Sequence, residues 1–293
     1  MSIIGSNILA GASGGSGAAD YQIERSLRFN SADSSDLRKT FSSAGNSRTF
    51  TIAFWVKRST LGAYQRIFAT YPPQEYIRFE NTDTLRVFES FATLRTTQVF
   101  RDCSSFYHIV IAADSTQATA SNRLKLYVNG TQVTQFSTAT YPSQNATCHF
   151  FTAVAHQIGS GTVEYFNGYL ADVHFVNGQQ LAPTDFGEFD NNNVWQPKEY
   201  SGSYGTNGFY LKFADNSSNA ALGTDSSGNS NTWTVNNLTA ADNGYIRGTS
   251  GAFFYGSREQ LFNGNTGNGL CPCLLYTSDA ADERSSVDLG GRR

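Results

Sequence analysis

Three tyrosines, Tyr71, Tyr76 and Tyr141, are the residues whose type and placement best fit sugar binding. A pyranose ring has an apolar face that stacks on a flat aromatic side chain, while nearby amides bind its hydroxyl groups. The chain carries 15 Tyr and 22 Phe, so packing within a β-sheet is the alternative for each of the three. Ordinary packing is the preferred interpretation of each tyrosine, and the three are the candidates for a carbohydrate site if the protein binds sugar.

Three aspartates, Asp33, Asp36 and Asp225, lie in stretches rich in Ser and Asn that are typical of loops. Calcium prefers oxygen ligands such as carboxylates and backbone carbonyls. Asp and Asn also stabilise turns by bonding to their own backbone, which is the competing interpretation. These residues predict turns, and their carboxylates could contribute oxygen ligands if a calcium site is present.

Catalytic chemistry has little support in the sequence. Glycoside hydrolysis needs two carboxyl groups about 5 Å apart for retention or about 6.5–9.5 Å apart for inversion. The acidic cluster nearest to such a pair, Asp185, Glu188 and Asp190, lies beside Gly and Pro and is interpreted as a solvated turn. No phosphate-binding loop is present. We expect that the protein is not an enzyme.

The cysteines and histidines predict no metal centre. A Cys271–Cys273 pair alone lacks the four ligands of a zinc site. Cys103 and Cys148 could form a disulfide, but two free buried thiols are the preferred interpretation. The four histidines show no metal-binding spacing and are interpreted as strand residues: His108, His149, His156 and His174.

The elements that would hold these residues are short β-strands. In Leu124–Val133, apolar and polar residues alternate before Asn129-Gly130, which is typical of a hairpin with a type I′ turn. A second strand ends at Asn177-Gly178. In the strand Phe50–Lys57, the apolar residues Phe50, Ile52, Phe54 and Val56 lie on one face, and Trp55 lies on the other. A large aromatic residue on the second face indicates that both faces of the strand are covered. Further strands at intervals of about ten residues, including His149–Val154, predict an all-β fold.

Composition supports strands and argues against two classes of partner. Aromatic residues make up 14% and charged residues 15% of the 293 residues, with 27 Gly for tight turns. The formal net charge is −3, and Lys and Arg are dispersed, so no basic patch for nucleic acid is expected. No apolar stretch is long enough to span a membrane. The first residues lack the basic n-region of a signal peptide, so none is expected.

Four segments together resemble the laminin-G-like branch of the concanavalin A-like lectin/glucanase superfamily: Phe50–Lys57, Phe106–Ile111, Leu124–Val133 and Phe166–Leu181. The resemblance implies an antiparallel β-sandwich of the jelly-roll type that holds sugars or proteins. It also implies calcium at the sandwich rim, near Gly168–Val173. This chain has one acidic residue there, Asp172, which joins Asp33 and Asp36 as the predicted calcium ligands. The Glu-x-Asp-x-x-Glu run of the glucanase branch is absent.

The chain divides into four predicted parts. Residues 1–20 form a flexible Gly/Ser-rich arm, and residues 21–190 form the sandwich. Residues 191–272 contain a linker and either the start of a truncated second β unit or edge strands of the first. Residues 273–293 are similar to a translated sequencing adapter, so we expect them not to be native protein.

The Gly/Ser-rich leader, Ser26–Asp33 and Trp195–Gly208 resemble proteins of tailed phages from aquatic metagenomes. This resemblance implies a virion protein, such as a tail fibre, that binds host-surface carbohydrate or protein and contacts other virion proteins, with homo-oligomers a further possibility. Its location would be the virion, assembled in the host cytoplasm and acting outside the cell. The alternatives are a non-catalytic structural or decoration domain and, more weakly, a glycoside hydrolase.

Overall fold

A computed structural model describes residues 21–246, apart from residues 73, 89, 90 and 162. The regular elements are β-strands joined by loops and short 3₁₀ turns. The strands are β1 (Arg25–Phe29), β2 (Asp36–Thr40), β3 (Thr49–Arg58), β4 (Gln65–Tyr71), β5 (Glu75–Phe79), β6 (Thr84–Val87), β7 (Thr93–Val99), β8 (Tyr107–Asp114), β9 (Leu124–Val128), β10 (Thr131–Gln132), β11 (Phe136–Thr140), β12 (Ala155–Ile158), β13 (Gly168–Asn177), β14 (Gly187–Phe189), β15 (Trp195–Pro197), β16 (Phe209–Leu211), β17 (Thr234–Asn236) and β18 (Asn243–Tyr245).

Two large antiparallel sheets form a sandwich, which confirms the predicted all-β jelly-roll fold. The first sheet has the order β10-β9-β8-β3-β13-β1-β18, and β16 also pairs with β13. The second sheet has the order β11-β7-β6-β5-β4-β12-β2-β17. A small third sheet pairs β14 with β15. Among the residues described, no helix is long and apolar enough to cross a membrane.

The core lies between the two large sheets because alternate residues of each strand point inward. On β3, the inward residues Phe50, Ile52, Phe54 and Val56 are fully buried. Phenylalanine rings fill much of the space; Phe54 meets Phe68 of the opposite sheet with ring centroids 5.0 Å apart. Burying a side chain of this size contributes about 1.5–3 kcal/mol, so the aromatic core carries much of the stability.

The outer face of the first sheet is covered, as the sequence of β3 predicts. Trp55 and Ala53 point outward yet are buried, each in its own apolar cluster. The cover comes from the chain after β13, which places Phe186, Trp195 and Tyr204 over this face. This second layer positions the candidate site described below.

The local predictions have mixed outcomes. The β9–β10 hairpin is confirmed, since Asn129 and Gly130 adopt φ values of 47° and 78°. Asn177-Gly178 ends β13 without a tight hairpin, because the next strand that pairs with β13 is β16, about 30 residues later. The predicted strand His149–Val154 is wrong: it forms turns that direct Phe150 and Phe151 into the core. Here the apolar run reflects core filling rather than strand pairing.

Residues beyond 190 join the same two sheets. β16 pairs with β13, β17 pairs with β2, and β18 pairs with β1. β17 and β18 therefore form outer edges of the second and first sheet. The division of the chain at residue 190 stays a prediction, and the predicted arm (residues 1–20) and adapter-like tail (residues 273–293) lie outside the described residues.

The thiol prediction holds for one cysteine. Cys148 is free and buried, so it forms no disulfide with Cys103. Its Sγ donates a hydrogen bond to Glu75 Oε2 at 2.8 Å, and burial together with the Glu75 charge raises its pKa. Cys103 is only partly buried and is disulfide-bonded, so the prediction of a free buried thiol is wrong there.

Candidate functional site

A cleft of ≈ 660 Å³ opens on the outer face of the first sheet, and we call it the aromatic cleft. Six aromatic side chains contribute to its walls together with amides, serines and one lysine. Its lining residues are Ser26, Trp55, Lys57, Ser104, Ser105, Phe106, Asn129, Tyr169, Phe189, Asn193, Val194, Trp195, Gln196, Tyr245 and Ile246.

The floor of the aromatic cleft is set by strand register. Tyr169 on β13 lies opposite Lys57 on β3 and Arg28 on β1, so the ring sits between two cations. The Lys57 Nζ lies 5.4 Å and the Arg28 guanidinium carbon 5.2 Å from the centroid of the Tyr169 ring. Such cation–π contacts fix the ring orientation. Trp55, two residues before Lys57, points to the same side and extends the floor.

Lys57 is the charged donor of the cleft. Its side chain is buried, and burial lowers its pKa from 10.5 to about 8. An amine with this pKa is still mostly protonated at pH 7, since the pKa lies above that pH. Lys57 can therefore donate hydrogen bonds to hydroxyl or carboxylate oxygens of a bound molecule.

One wall is the β14–β15 hairpin, whose apolar residues stay exposed. Phe189 is 49% exposed and Val194 is 52% exposed, although both are large and apolar. The hairpin loop is fixed by Asp190 Oδ1, which accepts hydrogen bonds from the backbone N–H groups of Asn192 and Val194 at 2.9 and 2.8 Å. On the far side, Tyr245 is 58% exposed beneath the Arg25 guanidinium, 4.0 Å from its ring centroid.

Trp195 anchors this wall to the sheet. Its Nε1 donates to His108 Nδ1 at 3.0 Å, and the Trp55 ring stacks on the His108 ring with centroids 4.7 Å apart. A Cβ at Gly130 would lie 2.4 Å from the Trp195 ring, so glycine at this turn makes room for the indole. Burial lowers the pKa of His108 to about 3, so this histidine is neutral and acts as an acceptor.

The arrangement fits the general requirements for sugar binding. Exposed aromatic faces can stack on a pyranose, and hydroxyl, amide and ammonium groups on the same walls can bind its hydroxyl groups. The tyrosines predicted from the sequence do not line this cleft. Tyr71 is 53% exposed on β4 of the second sheet, Tyr76 on β5 is buried, and Tyr141 packs partly buried against the core.

Asp172 occupies a β-bulge on β13. Between Ala171 and His174, β13 has one residue more than β3, and Asp172 adopts a φ of 50°, which Asp tolerates better than most residues. Its Oδ1 accepts hydrogen bonds from the hydroxyls of Tyr21 and Tyr210 at 2.7 and 2.5 Å. His174 Nε2 lies 3.2 Å from Asp172 Oδ2.

We call Asp172, His174, Tyr21, Tyr204 and Tyr210 the bulge network. His174 stacks on Tyr210 with centroids 4.3 Å apart, and its Nδ1 lies 2.8 Å from the Tyr204 hydroxyl. Burial opposes ionisation of Asp172, but the His174 charge and the tyrosine hydroxyls lower its pKa overall. Burial and the Asp172 charge in turn raise the pKa of Tyr210. The Asp172 carboxylate is therefore already hydrogen-bonded by two tyrosine side chains of the protein itself.

The three predicted calcium ligands lie in different surroundings. Asp36 is buried on β2 of the second sheet and binds Arg38 and Asn236. Asp33 is exposed, accepts from Asn30, and lines a second cleft of ≈ 840 Å³ beside Trp233. Asp225, the further loop candidate, accepts from the backbone of Tyr210. Among the described residues, no group of three or more His, Cys, Asp or Glu could hold a metal ion.

A β-sandwich with a concave site of aromatic, amide and hydroxyl groups defines a lectin-like domain. A family model described as the concanavalin A-like lectin/glucanases superfamily matches residues 30–184, which is more than half of the chain. The protein therefore belongs to this superfamily, as a laminin-G-like domain. A comparison with curated protein sequences finds no match.

Solved structures with a similar fold are distant in sequence. A proposed carbohydrate-binding protein from Bacteroides ovatus has 15% identity and a TM-score of 0.49, covering 75% of this chain and 60% of that chain. A heptameric SAP-like pentraxin from Limulus polyphemus has 14% identity and a TM-score of 0.41, covering 55% and 78%. Domain 4 of an extracellular arabinanase from Geobacillus stearothermophilus, solved with arabinotriose, has 18% identity and a TM-score of 0.36, covering 47% and 65%.

Proposed function

We propose that the protein is a non-catalytic carbohydrate-binding domain and that the sugar binds in the aromatic cleft. The observation that carries the proposal is the exposure of Phe189 and Tyr245 on opposite walls above a floor of Trp55, Tyr169 and Lys57. Large apolar side chains that remain exposed around a concavity are typical of ligand sites. The polar groups beside them supply the hydrogen bonds that a sugar needs.

The chemistry of the cleft supports binding rather than hydrolysis. The described lining residues are six aromatic residues, three amides, three serines, one lysine, Val194 and Ile246, without Asp or Glu. Hydrolysis of a glycosidic bond uses a pair of carboxyl groups on either side of that bond. Asp185, Glu188 and Asp190, the acidic cluster of the sequence, serve the hairpin and its flanking turn instead: Asp190 caps the loop, and Asp185 Oδ2 accepts from the Ala182 N–H.

In its finer form, the proposal places the domain on the virion of a tailed phage, where it binds a host-surface glycan. The support is the resemblance of Ser26–Asp33 and Trp195–Gly208 to such phage proteins. The alternative is a decoration domain whose exposed residues Phe189, Val194 and Tyr245 contact another virion protein. The two alternatives make different predictions: a purified glycan binds in the aromatic cleft under the first and does not bind under the second.

We expect saturable binding of the purified full chain to a defined glycan on an array. Phe189→Ala and Tyr245→Ala should each weaken that binding about 5- to 30-fold, because each loses about 1–2 kcal/mol of stacking and apolar contact. Tyr71→Ala is the matched control, since Tyr71 is similarly exposed but lies outside the cleft. Binding should be equal in calcium and in chelator.

Three results would contradict parts of this proposal. No binding by a chain that melts cooperatively would favour the protein-contact alternative. An equal loss with Tyr71→Ala would place the sugar elsewhere. Loss of binding in chelator would show that a metal contributes, as the family resemblance implies.

A further inference from the structure

A second concavity of ≈ 840 Å³ lies beside Trp233, and we call it the polar cleft. It is bordered by β17 and by the short turns that precede β2 and β18. Its walls include Asp33, Trp233, Thr234, Asn237 and Asp242. Carboxylate, amide and hydroxyl groups therefore meet beside one indole, and the described lining contains no Lys or Arg.

The polar cleft adjoins the aromatic cleft across a single side chain, Arg28. Tyr169 of the aromatic cleft lies opposite Arg28 on the outer face of the first sheet. Asp242 lies on the other side of Arg28, because it directly precedes Asn243, the residue of β18 that pairs with Leu27. Burial lowers the pKa of Arg28, and the nearby charges of Tyr169 and Asp242 oppose that effect. Since neighbouring strands are about 4.8 Å apart, the backbone positions of Tyr169 and Asp242 are separated by about 10 Å.

Trp233 carries a hydrogen-bond donor that lacks an acceptor. Its side chain is only 3% exposed, and its Nε1 has no hydrogen-bond partner within the described structure. Leaving a buried donor unsatisfied is costly, so such a group points to a molecule that completes the bond. Because the indole is part of the wall of the polar cleft, a molecule bound there would supply the acceptor.

The two carboxylates of the polar cleft keep acceptor capacity. Asp33 Oδ2 accepts from Asn30 Nδ2 at 2.6 Å, and Asp242 Oδ2 accepts from the Thr239 N–H at 2.7 Å. In the part of the chain that is described, the Oδ1 atom of each has no hydrogen bond. A sugar hydroxyl both donates and accepts, so hydroxyls can bond to the carboxylates and to the indole N–H. A cation would leave the indole unsatisfied, and an anion would be repelled by both carboxylates.

We propose that the polar cleft is a second sugar subsite and that the ligand is a neutral polysaccharide whose chain crosses Arg28 and occupies both clefts. This inference rests on the proposed function, because the aromatic cleft is the first subsite. The aromatic cleft supplies stacking surfaces, whereas the polar cleft supplies carboxylates and amides. A chain that fills both clefts gains affinity, because binding of its second part is intramolecular. The ligand is therefore the interior of a polysaccharide rather than one terminal sugar.

The test measures binding of the full chain to cello-, manno- and galacto-oligosaccharides, each from the monosaccharide to the hexasaccharide, on one array. In a series that binds, affinity should rise at least about tenfold with length, because the longer chains engage both clefts. A rise that is complete at the monosaccharide would place the whole contact in one cleft.

Two variants test the polar cleft itself. Trp233→Phe keeps an aromatic ring in the core and removes the donor, so it should weaken hexasaccharide binding about fivefold and leave monosaccharide binding unchanged. Asp33→Asn keeps the shape of an exposed side chain and removes its charge, so it should weaken hexasaccharide binding about three- to tenfold. Melting curves check that each variant is folded.

Asp215→Asn is the matched control for Asp33→Asn. Asp215 is exposed and accepts a hydrogen bond from Ser217 in its own turn, but it lies outside both clefts. The inference is overturned if affinity does not depend on length, if neither cleft variant weakens hexasaccharide binding, or if Asp215→Asn weakens it as much as Asp33→Asn does. If a different glycan binds in the aromatic cleft but none of the three series binds, the inference fails and the proposed function stands. If no glycan binds, both fail.

Discussion

Asp172→Ala is expected to lower the free energy of unfolding by about 3–5 kcal/mol at pH 7, which is the cost of removing one partner from a buried charged network. The substitution removes the carboxylate that accepts from the hydroxyls of Tyr21 and Tyr210, which are left with each other, and removes the charged oxygen 3.2 Å from His174 Nε2. It also puts alanine at a φ of 50°, where its Cβ is strained. Urea unfolding of the variant and the parent chain measures the difference.

Asp172→Asn is the control for this prediction. Asparagine tolerates the same φ, and its amide oxygen still accepts from a tyrosine, so the loss should be about 1–2 kcal/mol. The folded-state pKa of Asp172 is lowered, so its contribution is complete above the unfolded pKa of about 3.9 and falls as pH drops through the folded pKa. A loss below 1 kcal/mol for Asp172→Ala at pH 7 would show that the bulge network does not stabilise the fold.

Acidification from pH 7 to pH 5 is expected to remove about 4 kcal/mol of stability through two buried histidines, His108 and His156. Each accepts a hydrogen bond on a ring nitrogen that would have to be protonated: His108 from Trp195 Nε1, and His156 from the Phe151 N–H at 3.1 Å. Burial lowers their pKa values to about 3 and about 4.

The sign follows from the unfolded state. Below pH 6.5 each histidine takes up a proton when the chain unfolds but stays neutral in the folded protein, so stability falls with pH down to the folded pKa. The slope of the unfolding free energy against pH should correspond to the uptake of about two protons on unfolding near pH 5. His108→Gln should reduce it to about one, and the His108→Gln/His156→Gln double variant should remove it. Urea unfolding between pH 7 and pH 5 measures the slope; a flat profile in the parent chain would contradict the assignment.

Features encoded by neighbouring residues could be predicted from the sequence. The Asn129-Gly130 turn specifies its hairpin because its two residues tolerate positive φ, and the alternation around Trp55 correctly predicts a strand covered on both faces. Both depend on local backbone preference and on the period of two. His149–Val154 shows the limit, because core filling and strand pairing produce the same apolar run.

The site could not be predicted because it depends on register and on distant segments. Trp195 reaches His108 from a separate hairpin, and Tyr169 lies between Arg28 and Lys57 only because of three paired strands. The tyrosines chosen from the sequence were selected by residue type, which does not distinguish a buried ring such as Tyr76 from an exposed one such as Tyr71. Trp195 is the residue of the cleft wall that the sequence could have indicated, because a large aromatic residue close after a polar linker is expected to pack against the domain.

The late strands β17 and β18 have a consequence for synthesis of the chain. The contact between Asn236 and Asp36 spans 200 residues, and that between Tyr245 and Arg25 spans 220. Until these strands leave the ribosome, β1 and β2 present open backbone edges that can pair with another nascent chain. Contacts this far apart also form slowly, because a long loop must close first. Chaperone dependence should therefore be greatest just before the end of this region is translated.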